Sequence, residues 1–207
     1  MKNFFSLFAA MCCMMVANAQ QFVVDNVKYN VTSTEDNTVE VIANVYQGYS
    51  GRIKIPAIVV NEGVTYHVTR IGDRAFCDCE DLTSVTLPEG VESIGEEAFE
   101  CCYGLKSITI PSTVKSIEEE AFYDCEYLAS VTLPEGLKTI GEEAFEYCYE
   151  LSSVTLPEDL ENIGEDAFYD CESLTSITIP SSVTSIEGSP FGGCSSLASI
   201  NVAEGNT

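Results

Sequence analysis

The sequence predicts a β-rich, α/β-type leucine-rich repeat solenoid of about five and a half 23-residue coils with parallel strands and an N-terminal β-hairpin cap. Three observations carry that expectation. Phe76, Phe99, Phe122, Phe145, Phe168 and Phe191 recur at a constant spacing of 23, and L-x-x-L-x-L spacing recurs with them. An apolar and polar alternation of strand type returns in each unit, as in "LTSVTLP" at 82–88. The stretch before the repeats alternates in the same way but lacks the period.

The chain opens with Lys2, the apolar run "FFSLFAAMCCMMVA" and the small-residue site Ala17-Asn18-Ala19. This is the layout of a secretory signal, too short for a membrane span, so residues 1–19 are expected to be cleaved and the chain exported. Residues 20–52 read as the cap. "VKYNV" at 27–31 and "TVEVIANV" at 38–45 flank the turn-rich "TSTEDN", which predicts a hairpin. An open first coil would otherwise present an unpaired strand edge.

Residues 53–207 read as the solenoid. Val85, Ile108, Val131, Val154, Ile177 and Ile200 form one inward column, followed two residues on by Leu87, Ile110, Leu133, Leu156, Ile179 and Val202. Pro88, Pro111, Pro134, Pro157 and Pro180 close each strand, because proline cannot donate to a ladder. "IGEEAF" is expected to form a short helical turn on the opposite side, with Ala98 and Phe99 buried. One coil has no core of its own, and stacking at roughly 4.8 Å supplies one. "SINVAEGNT" follows the last strand without a recognisable C-terminal cap, so edge-mediated self-association or continuation in a longer chain is expected there.

The pattern A-F-x-x-C-x-x-L-x-x-[IV]-x-[IL]-P-x-x-[VL]-x-x-I resembles the BspA-like leucine-rich repeats of bacterial surface proteins, over about residues 51–202. "YSGRIKIPAIVVNEGVTYHVTRIGDRAF" is similar to the opening segment of that family. The resemblance implies a secreted or surface-displayed adhesion and interaction protein without enzymatic activity. It carries no catalytic or binding residues over to this chain.

Eight cysteines follow residue 19. Cys79, Cys102, Cys125, Cys148, Cys171 and Cys194 form an in-register structural column and are expected to be buried thiols. Cys77 and Cys101 are extra, one coil apart and one residue out of register. A separation of roughly 6 Å would permit a disulfide between them. Facing C-x-x-C pairs are absent and His67 is the single histidine, so no metal site is expected.

Net charge is −24, and loss of Lys2 with the signal moves it to −25. A surface this acidic excludes nucleic acid and anionic membranes as partners and favours cationic ones. Glu96, Glu119, Glu142 and Glu165 form one acidic column, with Glu97, Glu120, Glu143 and Asp166 beside it. These columns suit either a solvated face or divalent cations held between coils, although the mixed loop geometry of a calcium site is missing.

Tyr103, Tyr123, Tyr127, Tyr147, Tyr149 and Tyr169 occupy the variable positions between the Phe and Leu columns, interleaved with Glu126, Glu146, Glu150 and Glu172. Exposed tyrosine is enriched at interfaces, so this strip is the first candidate binding surface. The second is the strand face, where Ser107, Thr109, Ser130, Thr132, Ser153 and Thr155 form outward hydroxyl columns able to meet a glycan. Threonine there also simply favours strands.

Nucleophile elbow, phosphate-cradling loop and metal motif are all missing, and no cofactor is expected. The expected role is surface interaction or adhesion with an extracellular protein. A carbohydrate-binding accessory protein and a structural spacer are the alternatives.

Overall fold

The computed structural model describes residues 20–44 and 48–205; the expected signal segment, residues 1–19, lies outside them. Alternation in the N-terminal stretch produces a meander of three strands, β1 (Gln21–Val24), β2 (Val27–Ser33) and β3 (Thr38–Ile42). β1 and β2 pair antiparallel across Asp25 and Asn26, both at positive φ (49° and 65°). Asp and Asn tolerate that conformation, and it matches the strand twist. β2 and β3 are also antiparallel, with Tyr29 opposite Val41 and Val31 opposite Val39, as the hairpin pattern predicts.

β3 then leads into the solenoid. Next come β4 (Gly51–Lys54), β5 (Ile58–Asn61) and β6 (Val64–Ile71). β5 and β6 form an antiparallel hairpin, and β6 pairs parallel with β3. Val41 lies beside Ile71, and Ile71 beside Ile94. Ile117, Ile140, Ile163 and Ile186 continue the same parallel row. The N-terminal meander therefore occupies the place of a preceding coil and satisfies its edge.

A second side carries parallel pairs as well, in three separate two-stranded sheets. β4 pairs with Leu82–Thr86, placing Ile53 against Val85. Ile108 pairs with Val131, and Ile177 with Ile200. Ser and Thr between these residues point out to solvent, as the alternation requires.

The third side departs from expectation. "IGEEAF" and its equivalents are consecutive turns, and no helix occurs among the described residues. Alternate amides are committed to the next coil: Glu97 N–H donates to the Glu119 carbonyl, Phe99 to Ala121 and Cys101 to Tyr123. The amides between them close local turns, Ala98 to Gly95 and Glu100 to Glu97. A helix would need those forward-pointing amides for its own i−4 carbonyls. The cost is left-handed backbone at Glu97, Cys101, Glu120, Asp124, Glu143, Tyr147, Asp166 and Asp170.

Close approach of coils also dictates glycine, as at Gly141 and Gly164. A Cβ on Gly141 or Gly164 would come within 2.4–2.8 Å of backbone atoms of the coil before. The core is a set of columns. Phe76, Phe99, Phe122, Phe145 and Phe168 are fully buried and stacked, with centroids 4.9–5.2 Å apart and planes within 6°. Burying each such ring contributes about 1.5–3 kcal/mol, which no isolated coil could gain.

Candidate functional site

The in-register cysteines are thiols, and each has a defined role. Cys102, Cys125, Cys148, Cys171 and Cys194 donate from Sγ to the carbonyl of Phe76, Phe99, Phe122, Phe145 and Phe168 in the preceding coil, at 3.1–3.4 Å. Cys79 Sγ accepts from Tyr49 N–H at 3.2 Å. Burial pushes these thiols up from their ordinary range, so they stay protonated and unreactive.

The Cys77–Cys101 disulfide is not formed: both are free thiols. The one-residue offset is the reason. Cys77 stands in register with Glu100 and donates to its Oε2 at 3.1 Å. Cys101, in left-handed backbone, is directed to Asp124 Oδ2 at 3.8 Å. Cys77, Glu97 and Glu100 bring one potential ligand atom each within 4.8 Å of one another. Arg74 already ion-pairs with Glu97 and the Cys77 thiol bonds Glu100, so the group is a satisfied network.

The acidic columns separate by exposure. Glu96, Glu119, Glu142 and Glu165 are solvated, whereas Glu97 is buried and Glu120, Glu143 and Asp166 half-buried. Burial, followed by the Glu143 carboxylate next in line, holds the Glu120 carboxyl above its usual range.

The tyrosines do not form one even strip. Tyr147 is the hub: its ring meets Tyr123 edge-on at 5.3 Å, Tyr149 at 5.9 Å and Tyr169 edge-on at 6.3 Å. Tyr103 instead donates from its hydroxyl to Asp124 Oδ2 at 2.9 Å. Tyr127 stands out at 53% exposure. Beneath the cluster, Glu146 is only 7% exposed, and burial pushes its carboxyl up to about 7.

Sequence reasoning listed these tyrosines and missed their order. "FCDCEDL", "FYDCEYL" and "FYDCESL" alternate with "FECCYGL" and "FEYCYEL", giving a two-coil period laid over the 23-residue one. Stacked, this places Tyr147 between Asp124 and Asp170, and Tyr149 between Glu126 and Glu172. Burial comes first and those four carboxylates follow in raising the Tyr149 phenol above its ordinary value. Like charges thus sit two coils apart with a phenol between them, which halves the repulsion within each neighbouring pair relative to an unbroken ladder.

The hydroxyl columns of the strand face are exposed as expected, apart from a half-buried Ser84. Shallow grooves of about 340–410 Å³ run between adjacent strands, one lined by Ser107, Thr109 and Pro111, another by Ser153, Thr155 and Thr178. Arg52 and Lys54 line the groove at the N-terminal end.

Residues 54–171 and 115–207 match the BspA type leucine rich repeat region, in six copies. The chain belongs to this BspA-type leucine-rich repeat family. A leucine rich repeat protein of T. pallidum superposes with a TM-score of 0.77 at 28% identity, over 88% of this chain and 82% of that one. A leucine rich cell surface protein of Faecalibacterium prausnitzii gives 0.65 at 34% identity, over 88% of this chain and 54% of that one. The pneumococcal vaccine antigen PcpA shares the fold alone, with 0.73 at 24% identity, and this BspA-type chain spans 51% of it. No curated protein matches.

Proposed function

We propose that this BspA-type chain is an exported or surface-displayed, non-enzymatic interaction module that binds an extracellular, cation-rich protein through the turn side of its solenoid. The observation that carries the reading is the cluster of Tyr123, Tyr147, Tyr149 and Tyr169 seated among Asp124, Glu126, Asp170 and Glu172. Tyrosines supply amphipathic contact area at small entropic cost, and the carboxylates add attraction for lysine and arginine. The secretory layout of residues 1–19 and the surface-protein relatives support the location.

The test compares binding of the chain to immobilised matrix proteins with binding by a variant in which Tyr103, Tyr123, Tyr127, Tyr147, Tyr149 and Tyr169 are all serine. Binding should fall in the variant and weaken steeply with salt. Equal binding by both proteins overturns the reading. A second reading, glycan capture, draws on the hydroxyl-lined grooves of the strand face. Salt-insensitive binding to a glycan array, lost on changing Thr109, Thr132 and Thr155 to bulky residues, would select it.

A further inference from the structure

Resting on that reading of the tyrosine side, we infer that the strip is ruled for a proline-rich polypeptide in polyproline II conformation with a lysine or arginine at every third residue. The two-coil alternation is the basis. Asp124 and Glu126 lie in one coil, Asp170 and Glu172 two coils on, and Asp78 and Glu80 two coils before. Ring centroids of Phe122, Phe145 and Phe168 follow at 5.1 and 5.2 Å, so each two-coil step is about 10 Å.

A polyproline II chain repeats its facing side chain every three residues, about 9.3 Å. A β-strand presents same-face residues about 6.7 Å apart and falls out of phase after one step. An α-helix returns to one face after seven residues, about 10.5 Å, but its neighbouring turn at 5.4 Å would set every other contact over a coil whose exposed acid, Glu150, stands one column outside the Asp124 and Glu126 columns. In the polyproline II register, each cation meets an acid pair. The two intervening prolines face the coil that carries Tyr147 and Tyr149, and aromatic side chains receive such ligands elsewhere. At the centre the Asp124 carboxylate accepts from Tyr103, and the Asp170 backbone is tied to the next coil by its amide hydrogen bond to the Gly192 carbonyl.

The experiment measures the full chain against three peptides of equal charge: Lys-Pro-Pro repeated five times, the same residues with the lysines contiguous, and an alanine-based helix with lysine every seventh residue. The repeated peptide should bind about tenfold more tightly than either of the others. The D124N/D170N variant should lose that preference, and asparagine suits the left-handed backbone at both positions. E142Q/E165Q, which removes the same charge from the neighbouring column, should keep it. Unchanged melting of D124N/D170N shows that the loss is not unfolding. Equal binding of the three peptides, or preference for the helix, overturns this inference while leaving the tyrosine side as a cation-binding face. No binding of any of them, together with tyrosine-independent matrix binding, overturns both.

Discussion

The Cys125 thiol donates to the Phe99 carbonyl of the coil before it, at 3.1 Å, and the same bond repeats along the column. That carbonyl also accepts the Cys102 N–H, which closes the local turn. The thiol therefore supplies the second partner of a buried acceptor at the point where coils meet, with a side chain small enough to fit beneath the stacked rings. Cys125→Ala should cost about 1–3 kcal/mol, combining the lost partner and a small cavity. Denaturant unfolding checks it, and a neutral result would show that the bond contributes nothing.

Thiol reagents should distinguish the two kinds of cysteine. Cys102, Cys125, Cys148 and Cys171 are fully buried, so they should label only when the chain unfolds. Cys77 and Cys101 are half-buried and should label first, though slowly, because burial and the adjacent Glu100 and Asp124 favour the protonated thiol. Mass spectrometry of labelled protein reads the order.

Phe122 sits between Phe99 and Phe145 in parallel stacks of 5.0 and 5.1 Å. Phe122→Ala should cost about 3–5 kcal/mol. Because each coil contacts only its neighbours, the loss should also broaden unfolding by uncoupling the two halves. A single transition as steep as that of the parent would contradict the columnar account.

Glu146 and Glu97 should respond to pH in opposite directions. Burial raises the Glu146 carboxyl to about 7, above its unfolded value. Its favourable contribution is therefore complete below pH 4.5 and is lost as pH rises through 7. Glu146→Gln should raise the melting temperature at pH 8 and change it little at pH 4.5. Glu97 is buried too, but hydrogen bonds from Arg74 and Glu100 leave its carboxyl below its ordinary value. That contribution is present at neutral pH and is lost on acidification. Arg74→Ala should consequently destabilise more at pH 8 than at pH 4. Matching pH profiles for the two variants would be inconsistent with this assignment.

Glu120 pairs a left-handed backbone with two carboxylate neighbours in its column, the half-buried Glu143 and the buried Glu97. Glu120→Asn removes one charge and suits that conformation, so it should stabilise by about 0.5–1 kcal/mol. Thermal melts at neutral pH decide it.

The period of Phe76 through Phe191 by itself determined that coils stack in register, because only superposition gives each ring a partner. Alternation in "LTSVTLP" likewise determined which residues face out, since a strand has a period of two. The buried cysteine column followed from spacing in the same way. Tertiary structure decided what local pattern could not reach. "IGEEAF" carries good helix formers, yet its amides bond the next coil, so inter-coil hydrogen bonding overrides propensity. Cys77 and Cys101 are near in count, but the offset of one residue turns each thiol to a carboxylate. Tyr147 became a hub and Glu146 a buried acid only when neighbouring coils closed over them, because burial at a stacked position depends on residues 23 places away on either side.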